Sequence, residues 1–265
     1  MIAKSYFEQL VPAFRDCEDE IFASIEFYLE NVAQHICDEF SLTQEQIDSE
    51  AARQHLAPRF KAYLCKRTAY EALPHLDLIL TSNGFAVANN QNLTPASRQR
   101  VYDLRERLRR EKSDARDALL ALLVENGDVQ PDTLLYTPTL LRRYGVRTKD
   151  GAPVYEEELQ LVLPDLYGAQ HLAETVVGQE QMSELLIGQA TFVEDSAESL
   201  LVQRCRRLMA TYLKGADLRL VKHEVQDFLN RYADDLPTYK FSSKYEADHF
   251  TPYENKQDDS CFFFS

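Results

Sequence analysis

Groups able to do chemistry are plentiful in this 265-residue chain, but none of them falls into a catalytic spacing. The densest carboxylate run is Cys17-Glu18-Asp19-Glu20. Such a run reads as a solvated helix face, and its strongly coupled, screened acids do not make one tuned general acid. The six histidines (His35, His55, His75, His171, His223, His249) form no His-x-x-x-His or His-Glu-x-x-His unit. A helical di-metal site needs Glu-x-x-His pairs on facing helices. The one match, Glu246 to His249, lies in the predicted tail, and His171 to Glu174 is a reversed single pair. There is no glycine-rich phosphate loop and no nucleophile elbow. The sequence therefore implies no cofactor, no metal and no enzyme. The basic residues are more ordered. Arg98, Arg105, Arg109 and Arg116 follow one another at intervals of seven, four and seven, which places them on one helical stripe, and Arg100 and Arg107 share another. That stripe has two readings. It is either a basic strip that meets acidic surface on a neighbouring copy or a phosphate backbone, or a salt-bridged exposed face with Asp103–Arg107 and Glu106–Arg110 as i, i+4 pairs.

Charge has two readings: a solvated acidic surface with one ordinary charged helix, or complementary patches for contacts between copies. The net charge is −14, unevenly spread. Residues 1–50 hold Lys4 and Arg15 against twelve acids, a net of −10. Residues 98–116 hold eight Lys/Arg against four acids, a net of +4. An acidic end and a basic middle can pair copy to copy, head to tail. The acidic total argues against sequence-specific nucleic-acid binding. The longest apolar run, Ala118 to Val124, is far short of the roughly 20 residues a membrane span needs, so no membrane association is expected. Residues 1–6 lack the apolar core of a signal peptide, and the five cysteines have no Cys-x-x-Cys pair, as suits reduced thiols in a cytoplasm.

The elements that must position these residues are mostly helical. Apolar residues recur at helical spacing from Pro12 to Phe40 (Phe14, Ile21, Ile25, Tyr28, Val32, Ile36). Thr43 followed by Gln46 resembles a capping box and predicts a short helix. A further helix is predicted over 58–73, ended by Pro74. Leu76, Leu78 and Leu80 then alternate with Asp77, Ile79 and Thr81, and Asn83-Gly84 is a strong hairpin signal, with Phe85, Val87 and Asn89 returning as a second strand. Thr94 and Pro95 open a long helix reaching Glu125, where Asn126-Gly127 stops it. Helices are also predicted over 140–144, 156–162, 164–177, 179–187, 196–213 and 218–232.

The predicted fold class is thus mainly α, with helical-bundle units and one β-hairpin near residues 76–89. Four segments are expected: a helical unit with the hairpin over 1–127, a junction over 128–153, a second helical unit over 154–239, and an extended tail over 240–265. A weak internal repeat aligns Leu10-Val11-Pro12 with Leu161-Val162-Leu163-Pro164 and Cys65-Lys66-Arg67 with Cys205-Arg206-Arg207, which would make the chain a tandem duplication. The terminal Phe262-Phe263-Phe264 must be covered, either by its own domain or by a neighbour on which the tail docks as an arm.

The run from Leu76 to Val87, with Asn89 through Pro95-Ala96-Ser97-Arg98, the upstream Cys65-Lys66-Arg67-x-Ala69 helix and the aromatic ending, resembles an uncharacterised family of Bacteroidales genomes and their phages. The resemblance is specific over residues 58–120. It implies a head–tail connector, or neck, component of a tailed phage, a non-enzymatic helical protein with a hairpin that assembles as a ring on the portal. No functional residues are established in that family, so none is carried over. The expected partners are copies of the chain itself and portal or tail proteins, reached by head-to-tail contacts that close. The expected contact residues are Asn83, Gly84, Phe85, Val87, Arg98, Arg105, Arg109, Phe262, Phe263 and Phe264. The implied location is the cytoplasm during assembly, and the virion if the chain is phage-encoded. The alternative is a cytoplasmic helical adaptor with no virion role.

Overall fold

The computed structural model describes residues 2–15, 17–48, 55–75, 78–81, 84–87 and 98–250. The protein is mainly helical. Twelve α-helices occur among the described residues: α1 (Lys4–Leu10), α2 (Asp19–Phe40), α3 (Gln44–Asp48), α4 (Leu56–Ala72), α5 (Arg98–Glu125), α6 (Pro138–Arg143), α7 (Glu156–Val177), α8 (Gln179–Gly188), α9 (Ala197–Leu213), α10 (Arg219–Arg231), α11 (Pro237–Lys240) and α12 (Ser243–Asp248). The chain divides into two compact units. The first comprises Met1–Val129, Thr137–Arg142 and Ala152–Leu159; the second comprises Gln130–Tyr136, Arg143–Gly151 and Gln160–Ser265.

In the first unit α4 is the central element, packing against α1, α2, α3 and α5. Its buried positions include several small residues, Ala57, Cys65, Thr68, Ala69 and Ala72, which let neighbouring helices approach closely. The facing stripe of α2 is Phe22, Ile25, Leu29, Val32, Ile36 and Phe40, spaced three or four apart. From α5 come Leu108, Ala115, Leu119, Leu120, Leu123 and Val124. Each fully buried large side chain here contributes about 1.5–3 kcal/mol. Phe7 seals one end, edge-on to Phe14 at 5.8 Å and to Phe22 at 5.7 Å. The Thr43–Gln46 capping box forms: the Gln46 amide N–H donates to Thr43 Oγ1 (3.2 Å), and Thr43 N–H donates to Gln46 Oε1 (2.8 Å).

In the second unit α9 packs on α10 and α8 on α11. The core is Leu201, Cys205, Leu208 and Met209 of α9 with Val225, Phe228 and Leu229 of α10, joined by Ala169, Ala173, Val177, Leu185 and Tyr239. Gly178 separates α7 from α8 at φ +91°, and a Cβ there would meet Lys244 Cβ at 2.8 Å, so the position requires glycine. Among the described residues one wholly buried thiol sits in each unit, Cys65 and Cys205, and burial pushes both up to about 12.

Several expectations are corrected. The segment 12–40 is not one helix: Pro12–Phe14 is a 3₁₀ turn, and α2 starts at Asp19. The two predicted helices over 156–162 and 164–177 are one helix, α7, with Pro164 inside it. The pieces of the expected junction, 128–153, are each tied to one unit or the other. Leu134 gives its N–H to Gln170 Oε1 (3.1 Å) and accepts from Arg206 Nε (3.0 Å) in the second unit. Thr139 N–H donates to Asp117 (2.7 Å), and Arg142 donates to the Val154 carbonyl (2.8 Å), in the first. The tail is not extended throughout, since Ser242 caps α12 by accepting from Tyr245 N–H (3.2 Å). The repeat loses one anchor: Leu10–Pro12 leaves α1 for a turn, whereas Leu161–Pro164 lies within α7. Residues 251–265, with Phe262, Phe263 and Phe264, lie outside the described residues.

The expected hairpin falls largely outside them too. Only a backbone pairing is described there, Leu78–Thr81 antiparallel to Gly84–Val87, with Thr81 opposite Gly84 and Leu78 opposite Val87. Asn83 and the side chains of Phe85 and Val87 are outside the description.

Candidate interaction surface

Lys and Arg side chains along α5 have two different fates. Arg109, Lys112 and Arg116 are spaced three and four apart, so they share one face. Facing them are Glu156, Glu157 and Glu158, the first residues of α7, where carboxylates complement the positive end of the helix dipole. Lys112, only 5% exposed, lies 2.6 Å from Glu157 and 3.3 Å from Glu156. Arg109 lies 3.3 Å from Glu157 and also pairs with Glu158. Arg116 donates to Glu39 of α2 at 2.6 Å. Three rings receive these cations: Tyr155 under Arg109 (4.9 Å), Tyr70 under Lys112 (4.6 Å) and Phe40 under Arg116 (5.4 Å).

Tyr63 of α4, fully buried, completes this network. Its hydroxyl donates to Glu156 (3.1 Å) and accepts from Arg67 (3.2 Å), which also donates to Glu39 (3.0 Å) and Glu71 (2.9 Å). Burial, reinforced by Glu156 and Glu39, drives the phenol far above its ordinary range, so it stays a donor. Burial alone would raise the Glu157 carboxyl, but the hydrogen bond and charge of Lys112, with Arg109, outweigh it and hold it below the ordinary 4.5. The network joins α2, α4, α5 and residues 155–158, and its members are spent on the unit's own cohesion.

The other end of α5 is different. Arg98, Arg105, Arg107 and Arg110 are exposed. Arg98, Val101, Tyr102 and Arg105, at i, i+3, i+4 and i+7, form one outward stripe with cationic ends and an apolar middle; Tyr102 is 60% exposed. The outer side of α2 carries the inverse. Glu20, Ala23, Phe27 and Glu30 are exposed at intervals of three, four and three, with acids at the ends and Phe27 at 73% exposure between them. Asp19 beside them is engaged by Lys4 (2.6 Å).

These positions sort the expected contact residues. Arg98 and Arg105 face outward; Arg105 reaches the Tyr70 ring at 5.7 Å. Arg109 is corrected: it is turned inward and held by three carboxylates, Glu106 (3.7 Å) included. The i, i+4 and i, i+3 pairs described along the helix are Arg107–Glu111 (3.9 Å) and Arg109–Glu106, in a different register from Asp103–Arg107 and Glu106–Arg110. Sequence reasoning missed Glu39, Tyr63 and the 156–158 triplet as partners of the basic helix. The triplet at a helix start was the available signal. Among the described residues no group of three or more His, Cys, Asp and Glu side chains is arranged for a metal ion, and no helix is long and apolar enough to cross a membrane.

Residues 25–133 match a family of unknown function (DUF6712). The matching stretch runs from within α2 through α5, and so lies almost wholly in the first unit. No curated protein and no solved structure matches the chain.

Proposed function

We propose that this chain is a non-enzymatic assembly protein, the head–tail connector component of a phage or prophage, which builds a ring from its own copies. The contact is heterologous: the Arg98–Val101–Tyr102–Arg105 stripe of one copy lies on the Glu20–Phe27–Glu30 stripe of the next. Unlike patches on one molecule generate rings or filaments, whereas a two-fold dimer would need one self-complementary patch. The observation that carries this reading is the pairing of two outward stripes of opposite charge, each with an exposed aromatic at its centre, on one unit. Aromatic anchors desolvated beneath a charged rim are a common design of protein interfaces. The resemblance over residues 58–120 supplies the phage context. Residues 83–87 and 262–264 are assigned to portal or neighbour contacts.

Light scattering after size-exclusion chromatography tests this, across protein concentration and salt. Oligomers that dissociate as salt rises are expected, and Arg98→Glu with Arg105→Glu should abolish them. Adding Glu20→Arg and Glu30→Arg in the same chain should restore them. A monomer at every concentration, both free and mixed with portal rings, overturns the proposal and leaves the adaptor reading.

A further inference from the structure

The second unit contains a cleft of about 580 Å³ between the walls of α9 and α10, lined by Arg204, Arg207, Glu224, Asp227, Phe228 and Arg231, among others. Its charges are not evenly matched. Arg207 is paired with Glu224 across the cleft at 2.9 Å, and Asp227 lies 3.4 Å from His223. That leaves Arg204 and Arg231, neither of them ion-paired among the described residues. Arg204 is half-buried. Its guanidinium lies 4.0 Å over the Phe228 ring, and its Nη1 donates to the Leu200 carbonyl at 3.2 Å. The ring and the carbonyl hold the guanidinium in place without neutralising it. Arg231, in the last turn of α10, is exposed beside it. Phe228 is also stacked on Tyr232 at 4.5 Å, so its ring is already engaged and offers little to an aromatic ligand.

We propose that this cleft binds an oxyanion, the phosphate or carboxylate group of a small ligand, on Arg204 and Arg231, with Arg207 available once its bridge to Glu224 opens. A planar guanidinium presents paired N–H donors that match the oxygens of either group. A small ligand is favoured over a nucleic acid. Two carboxylates line the same walls, and a chain of net charge −14 repels a polyanion that needs many phosphate contacts.

Isothermal titration calorimetry of the full chain, at constant ionic strength, separates the sources: one arm uses inorganic phosphate and the other citrate. Saturable binding in the phosphate arm alone assigns phosphate compounds; binding in the citrate arm alone assigns carboxylates. Arg231→Gln, at an exposed position, should weaken the binding roughly tenfold, and Arg204→Gln should do the same. A chain that binds neither anion saturably overturns the proposal, as does an Arg231→Gln variant that binds like the parent. Chemical shift changes in ¹⁵N spectra would place the response on α9 and α10, so failure here is separable from failure of ring assembly, which is read on the first unit.

Discussion

The two ends of α5 carry the same residue type and do opposite work. Toward its C-terminal half, Arg109, Lys112 and Arg116 are drawn under neighbouring elements and matched by Glu39 and residues 156–158. Toward its start, Arg98 and Arg105 face water. Desolvation decides the difference. An ion pair out of water is strongly coupled to its partner, so removal of one side leaves a stranded charge, whereas exposed charges are screened and contribute little to stability. A basic helix is therefore no single surface, and only its solvent-facing end is available to a partner.

That contrast sets the expected mutant effects. The largest is Arg116→Ala, which removes the 2.6 Å bond to Glu39, leaves that carboxylate to Arg67 and uncovers the Phe40 ring; it should destabilise the protein by about 2 kcal/mol in urea unfolding. Tyr63→Phe comes next. It removes a donor from Glu156 and an acceptor from Arg67, and should cost about 1–2 kcal/mol in the same measurement. Ser41 ends α2 in the left-handed region at φ 53°, so Ser41→Gly should stabilise by about 0.5–1 kcal/mol. Glu157 supplies a pH signature. Its folded carboxyl is held below the ordinary 4.5, so its contribution is fully present above that pH and is lost as pH falls toward the lowered value. Glu157→Gln should flatten the acid limb of a melting-temperature profile. The smallest effect belongs to the outer end: Arg105→Ala should change stability by less than about 0.5 kcal/mol, and equality with Arg116→Ala would erase the distinction.

Local chemistry was legible in the sequence. The Thr43–Gln46 box spans four residues and needs no tertiary knowledge, and the glycine stop at Gly127 (φ +79°) is equally local. Helices α8, α9 and α10 lie close to their predicted bounds because their apolar period is strong. What was not legible is long-range. Arg116 meets Glu39 across 77 positions, and the sequence offers many other acids for it. The stripe spacing of Arg98, Arg105, Arg109 and Arg116 is right for a helix, but spacing alone cannot say which of them another element will cover. Pro164 suggested a break because a proline lacks an N–H, yet α7 runs on through it. The helix Ser243–Asp248 was missed although Ser242 is a typical capping residue, because the surrounding composition has no apolar period.

The two hidden thiols give each half of the protein its own clock. A reagent that attacks only thiolate can reach Cys65 or Cys205 only when the surrounding helices separate and the sulfur regains an ordinary acidity. Cys17 and Cys37, nearer the surface, react first and can be blocked beforehand. The labelling rates of Cys65 and Cys205, read peptide by peptide, then time the opening of each unit independently, in one tube and with no engineered probe.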